Sequence, residues 1–292
     1  WPTRSRRMTL AEWIANADNP MTSRVMMNRL WLWHFGRGIV ATPSDFGELS
    51  GGPSHPELLD WLAARFVQEK WSLKAMHRIM VTSQAYRQTS IWDNKTAAEH
   101  DPENELLWRF RRQRLSAEAV RDSVLAVSGR LNPEQFGLPI FPPLPDGLAE
   151  RVKYSESKWD TQHGPEGRKR SIYIYQQRTL TMPMMQLFGA LVCEESRPMR
   201  RTSVSALQAL QLFNGPFVNE ESRHFAKRVI DEVGDDATKQ VERAFLQALT
   251  RRPMPAETAK LVEFLGEYDS RESGLIALCR ILYNSNEFLH VD

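Results

Sequence analysis

The chain has 292 residues, of which 41% are hydrophobic and 25% charged, an ordinary globular composition with apolar mass for a sizeable core. Its 38 Lys and Arg against 36 Asp and Glu leave a formal charge of +2, too balanced for a general nucleic-acid or membrane-surface binder. No apolar run reaches the roughly 18 residues that a spanning helix needs, so no membrane insertion is expected.

The chain opens Trp-Pro-Thr, without an initiator Met or signal peptide, as a domain cut from a longer precursor would. Thr9-Leu10-Ala11-Glu12 has the form of a capping box, opening a short helix that Asn19-Pro20 ends. Over residues 21–35, Met27, Leu30, Trp31 and His34 recur at i, i+3, i+4 and i+7, the spacing of one helix face. Met26, Leu30 and Trp33 make a second stripe, and a helix apolar nearly all round is normally buried. Asn28, Arg29 and His34 then fall inside or at the edge of a core, where polar groups need partners. Gly36 and Gly38 predict the stop.

Ser54-His55-Pro56-Glu57 reads as a second capping box with Ser54 at the N-cap, starting a helix over 56–69 with Leu58, Leu59, Leu62 and Phe66 inward. Trp71-Ser72 starts a third helix carrying Leu73, Met76 and Met80, and Ser83 to Ser90 form its polar exit. Residues 103–112 read as an Arg-rich helix. Ser116 caps the next helix, through about Ser128, with Ala119, Val120 and Val124 inward.

From Leu131 to Lys169 regular structure thins into a Pro-rich and then polar stretch. Segments this long in compact domains are functional lids or disordered, and Tyr154, Trp159 and His163 favour an ordered excursion across the first helical half. Ser171-Ile172-Tyr173-Ile174-Tyr175 alternates as a strand does and needs a partner, for which the excursion is the natural source. Pro183 opens a short helix, and Ser205 with Gln208 caps another that Asn214-Gly215-Pro216 ends. Helices are predicted near 217–233, 237–249, 256–267 and 273–284. The fold class is mainly α, an irregular multi-helix domain with a long Pro-rich excursion and at most a small β element. Its parts are a helical half over 1–130, the excursion and strand over 131–180, and a helical half over 181–292, integrated as one domain.

Three stretches, NRLWLWHFGRGIVATPSDFG, SHPELLDWLAARF and WSLKAMHRIMVTSQAYRQ, resemble the C-terminal domain of large planctomycete proteins. RKRSIYIYQQRTL, SVSALQALQLFN and ILYNSNEFLHVD match later parts of the same pattern, so the resemblance covers nearly the whole chain. The domain is catalogued as domain of unknown function 1553, and its parent proteins also carry a planctomycete-type cytochrome c domain. The resemblance therefore implies an exported protein, at the periplasm or cell surface, with a cytochrome c domain as partner. It assigns no reaction. With no C-x-x-C-H in this chain, any haem belongs to another part of the parent and no cofactor is expected here.

Three constellations carry the functional readings. In the first, His34, Asp45 and His55 flank a Gly-rich break and can supply acid/base chemistry, with Asn28, Arg29 and Arg37 as anion-binding groups. The structural alternative pairs Arg29 with Asp45 and seats His34 on a carbonyl. The histidines are too scattered for a metal site. In the second, Arg109, Arg111, Arg112 and Arg114 alternate with Trp108 and Phe110, suiting phosphate, sulfate or carboxylate. Glu118 follows Arg114 at i+4 and Asp122 follows Glu118, so ion-paired helix faces are the alternative. In the third, Tyr173 and Tyr175 lie beside Arg170 and Arg178, with Arg197, Arg200 and Arg201 further on. Sugar rings lie on aromatic faces while guanidinium groups take acidic substituents; the alternative is a strand whose Tyr face packs on a helix.

Cys193 and Cys279 can pair or be small buried hydrophobes, and Cys193 lacks a nearby His to make it a nucleophile. Together these readings favour a non-catalytic module binding an anionic extracellular polysaccharide or a partner domain. One alternative is a hydrolase or lyase on extracellular polysaccharide, with Asp45 or Glu118 as carboxylate and His34 or His55 as its partner. The other is a structural docking domain for a cytochrome c domain.

Overall fold

A computed structural model describes residues 5–145, 147–148, 159–177, 180–190, 197–200 and 203–291. It divides into two units, Trp1–Gln113 and Arg114–Val291, a boundary inside what the sequence placed in one N-terminal half. The architecture is mainly α. Among the described residues there are thirteen α-helices and one sheet of two short strands.

The first unit holds α1 (Arg6–Ile14), α2 (Pro20–Phe35), α3 (Pro56–Gln68), α4 (Leu73–Thr82) and α5 (Lys95–His100). Pro20 suits the first helical position of α2, and the Asn19 side chain accepts from Met21 N–H. Gly36 ends α2 with φ at 76°, a left-handed conformation open to glycine at no steric cost. Met27 and Leu30 of α2 meet Leu59, Leu62 and Phe66 of α3 and Met76 and Met80 of α4, all buried. Each such side chain removed from water contributes roughly 1.5–3 kcal/mol.

One polar side chain is fully enclosed by this core. Asn28 Nδ2 donates to the Val40 carbonyl at 3.0 Å, and Val40 N–H donates to Asn28 Oδ1 at 2.8 Å. The chain after α2 is thereby folded back along it. A Cβ at Gly38 would lie 2.5 Å from the Val40 carbonyl oxygen and 2.9 Å from Asn28 Nδ2, so the return requires glycine.

Several local expectations are corrected. The first helix starts at Arg6 after Ser5, with Thr9 inside it rather than at its cap. The N-cap of α3 is His55, not Ser54, whose hydroxyl instead donates to the Ile39 carbonyl. Residues 103–112 are turns, not helix, and a helix lies earlier at α5. The reason is local competition for backbone hydrogen bonds. The Asp101 carboxylate accepts from Glu105 and Leu106 N–H, both at 2.8 Å, and Asn104, with positive φ, clasps both backbone groups of Arg109.

The second unit contains α6 (Ala117–Val127), α7 (Pro183–Leu187), α8 (Ala206–Asn214), α9 (Pro216–Val233), α10 (Ala237–Leu249), α11 (Pro255–Gly266), α12 (Arg271–Tyr283) and α13 (Asn286–Leu289). Ser116 caps α6 by accepting from Ala119 N–H, as expected. The core gathers Val120 and Val124 of α6, Phe225 and Val229 of α9, Val241 of α10 and Leu278 of α12. Tyr283 is fully buried, and its hydroxyl donates to the Val124 carbonyl at 3.2 Å. At the start of the unit Leu115 N–H donates to the Leu289 carbonyl at 2.8 Å. Cys279 is a free, buried thiol whose pKa burial pushes well up; Cys193, like Tyr154, lies outside the described residues.

The expected strand at 171–175 is a 3-10 turn over Ser171–Tyr173, followed by a bridge between Ile174 and Ile140. Its partner does come from the excursion. Alternation fails because α6 holds this backbone through side chains: Arg121, 1% exposed, donates to the Lys169 and Gly167 carbonyls and to Ser171 Oγ. Asp122 accepts from both Ser171 N–H and its hydroxyl. Among the described residues no helix is long and apolar enough to cross a membrane.

Replacing Asn28 with Ala strands two buried backbone groups of Val40, which should cost about 2–5 kcal/mol. Urea unfolding measures the loss, and a change within error would show that water replaces the amide.

Candidate functional site

The first unit carries a cleft of about 590 Å³ between two segments, residues 90–93 and 102–112. Phe110 N–H ties them by donating to the Thr89 carbonyl at 3.1 Å. The Asp101 and Asn104 side-chain bonds fix the second segment as a turn, and Trp108 Nε1 adds a bond to the Asp101 carbonyl at 3.0 Å. Positive φ at Asn104 and Leu107 allows the tight reversal.

That geometry puts Arg109, Arg111 and Arg112 on one cleft, together with Trp92, Asp93 and Glu103. Arg109 Cζ lies 4.6 Å from the centre of the Trp108 ring, a cation–π placement that orients the guanidinium, which makes no ion pair among the described residues. Arg111 is more committed, since its Nη2 donates to the Glu103 carbonyl and its stem lies against Gly36. Trp92 is 55% exposed and Ile91 72% exposed, an apolar surface beside the charges. Neither Asp93 nor Glu103 spends its carboxylate on a hydrogen bond or ion pair among the described residues. The cleft can therefore take a ligand with acidic groups, hydroxyls and a flat apolar face.

Of the second constellation, Arg109, Phe110, Arg111 and Arg112 meet at this cleft, whereas Arg114 belongs to the second unit. Arg114 Nη1 donates to the Ser203 carbonyl at 2.7 Å and to Gln208 Oε1 at 2.6 Å, with the guanidinium over Phe188. Glu118 pairs with Arg200 in a two-pronged contact, not with Arg114. Burial works to raise the Glu118 pKa, but the Arg200 hydrogen bonds outweigh it and hold the carboxyl below its ordinary value.

The first constellation is dispersed over several tasks. Asn28 is the buried clasp. Arg29 and Asp45 do not pair; Asp45 accepts from Gly47 N–H at 2.9 Å, and Arg29 Nε is buried with no hydrogen-bond partner among the described residues. His55 Nδ1 lies 2.9 Å from Ser54 Oγ. Arg37, 3.4 Å from Glu105, shares with His55 and Arg111 a small cavity of about 20 Å³. His34 Nε2 meets His77 Nδ1 at 2.7 Å, and Tyr86 stands edge-on to His34. Burial first, and then the neighbouring His77, lowers the His34 pKa.

In the third constellation Tyr173 is half-buried against the second core and accepts from Phe136 N–H through its hydroxyl. Tyr175 lies 5.2 Å from Phe141, ring centre to ring centre. Arg170 is exposed, 3.8 Å from Asp122, and Arg197 is exposed. Arg178 and Arg201 lie outside the described residues. Sequence reasoning missed Trp92, Asp93, Glu103 and His77; a Trp set in the polar run around Asp93 and Asn94 was the available signal. Among the described residues no three His, Cys, Asp or Glu side chains are grouped to hold a metal.

An imidazole held below the ordinary value of about 6.5 binds its proton less well folded than unfolded. Stability from His34 is thus present above about pH 6.5 and declines as the pH falls below it. His34→Gln should flatten the dependence of the unfolding midpoint between about pH 7 and 5.5; an unchanged slope would assign it to other groups.

No curated protein and no solved structure matches the chain. Residues 6–265 match the model of the PSD1 family, described as a protein of unknown function (DUF1553). The match spans most of the chain, which therefore belongs to that family.

Proposed function

We propose that this chain is a non-catalytic binding module that recognises an anionic extracellular polysaccharide, and that the cleft of its first unit is the binding site. The observation that carries this reading is the lining of that cleft. Three arginines and an exposed Trp stand around about 590 Å³ of open volume. Guanidinium groups bind carboxylates and sulfates in two-pronged fashion, and an indole face accepts the apolar side of a sugar ring. The oriented Arg109, with no ion pair of its own among the described residues, is the cation most free to take a ligand. The motifs that resemble the planctomycete cytochrome-linked proteins support placing the module in an exported multidomain parent. In that parent, haem would sit in a neighbouring cytochrome c domain.

A docking role for that cytochrome c domain is the second reading. It is favoured by exposed Leu207, Leu210 and Phe213 on α8, away from its buried Gln208 and Leu212. Large exposed apolar groups on one element mark interaction surfaces. Leu207→Glu with Leu210→Glu should then abolish association with the parent's cytochrome c domain in a pull-down of the two purified domains. Retained association would remove this reading.

The polysaccharide reading is tested by titrating the protein with polygalacturonate, dextran sulfate and neutral dextran at two salt concentrations. Binding confined to the acidic polymers and weakened by salt is expected. Trp92→Ala and Arg109→Ala should each reduce it about tenfold, the loss of one stacking or charge-assisted contact, with the melting temperature unchanged. Variants that bind as the wild type does, or equal binding of neutral dextran, would overturn the assignment.

A further inference from the structure

The cleft holds a second, less obvious feature. Asp93 and Glu103 line it beside the arginines, yet neither carboxylate is spent on them or on any other described residue. An ionised carboxylate is an acceptor only. A ligand that satisfies these groups must bring hydrogen-bond donors, and it must bring them within the same short span as the acidic group that Arg109 would take. A densely sulfated polymer brings like charge to both carboxylates and has few free hydroxyls to donate. A polyuronate has one carboxylate per ring flanked by free hydroxyls, together with an apolar ring face for Trp92. Complementary charge selects, and like charge placed against a competitor rejects.

Resting on the binding reading above, we infer that the cleft is selective for uronate-type glycans over polysulfates, with Asp93 and Glu103 as the specificity-determining residues. Each carboxylate accepts ring hydroxyls of the favoured ligand and repels sulfate esters of the other. The arginines supply attraction common to both classes, and the carboxylates supply the difference between them.

The experiment compares polygalacturonate with dextran sulfate of matched length, by calorimetric titration at moderate salt, for the wild type and the double variant Asp93→Asn, Glu103→Gln. Both substituted residues are exposed, and circular dichroism checks that the fold is kept. The wild type should prefer polygalacturonate at least about fivefold, and the variant should lose or reverse that preference, chiefly by binding dextran sulfate more tightly. A wild type that prefers dextran sulfate, or a variant with an unaltered ratio, overturns the inference while leaving the anionic-ligand reading intact. If the folded wild type binds neither polymer, the reading falls and the inference with it.

Discussion

The first unit depends on one buried amide. Asn28 sits in the middle of α2 with no access to solvent, and its side chain replaces a missing backbone partner for both polar groups of Val40. Unpaired, those two groups would oppose burial of the return segment. Paired, they let Ile39 and Val40 enter the same apolar cluster as Met27 and Leu30. The close approach leaves no room for a Cβ at Gly38, so an Asn and a Gly ten residues apart are one structural device. With α2 so placed, Gly36 at its end lies against the stem of Arg111, and the backbone carbonyl of His34 accepts from Gln113 Nε2. The strip that lines the cleft is thus anchored on the C-terminal end of α2.

The same physics acts wherever regular structure is absent. Asp101 and Asn104 take up backbone donors and acceptors that a helix over 103–112 would have used internally. In the second unit Arg121 and Asp122, neighbours on α6, grip the backbone from Gly167 to Ser171. A guanidinium this deeply buried is held by its bonds to carbonyl oxygens, and burial lowers its pKa to about 10, the adjacent Asp122 opposing that shift. Gly167 is required there as well, since a Cβ would lie 2.0 Å from the Gln162 carbonyl oxygen. The irregular segment is ordered by side chains reaching its backbone rather than by a sheet.

These devices shape the functional surface. A helix through 103–112 would distribute its arginines around a cylinder, pointing in several directions. The turn that replaces it collects Arg109, Arg111 and Arg112 around one cleft with Glu103, and the tie from Phe110 to Thr89 brings the Trp92 segment alongside. By contrast, Tyr173 and Tyr175, which in the sequence suit either a sugar-binding surface or a packed face, have their rings drawn into packing with the second core and with Phe141.

The mainly α class and most helix limits in the second half are legible in the order of residues alone. So are the stop at Gly36 and the cap at Ser116, because spacing, caps and breakers act within a few residues. The arginines around Phe110 also stand out as a group, since their clustering is a property of order along the chain. Packing in three dimensions is what makes Asn28 a clasp, sends Arg121 from the apolar stripe it shares with Ala117 and Leu125 to a loop some 46 residues away, and brings His34 to His77. It also makes residues 103–112 turn and brings Trp92 to them. Each of these rests on a polar group satisfied by a partner distant in the chain. Burial makes that pairing compulsory, but no local pattern says where the partner lies.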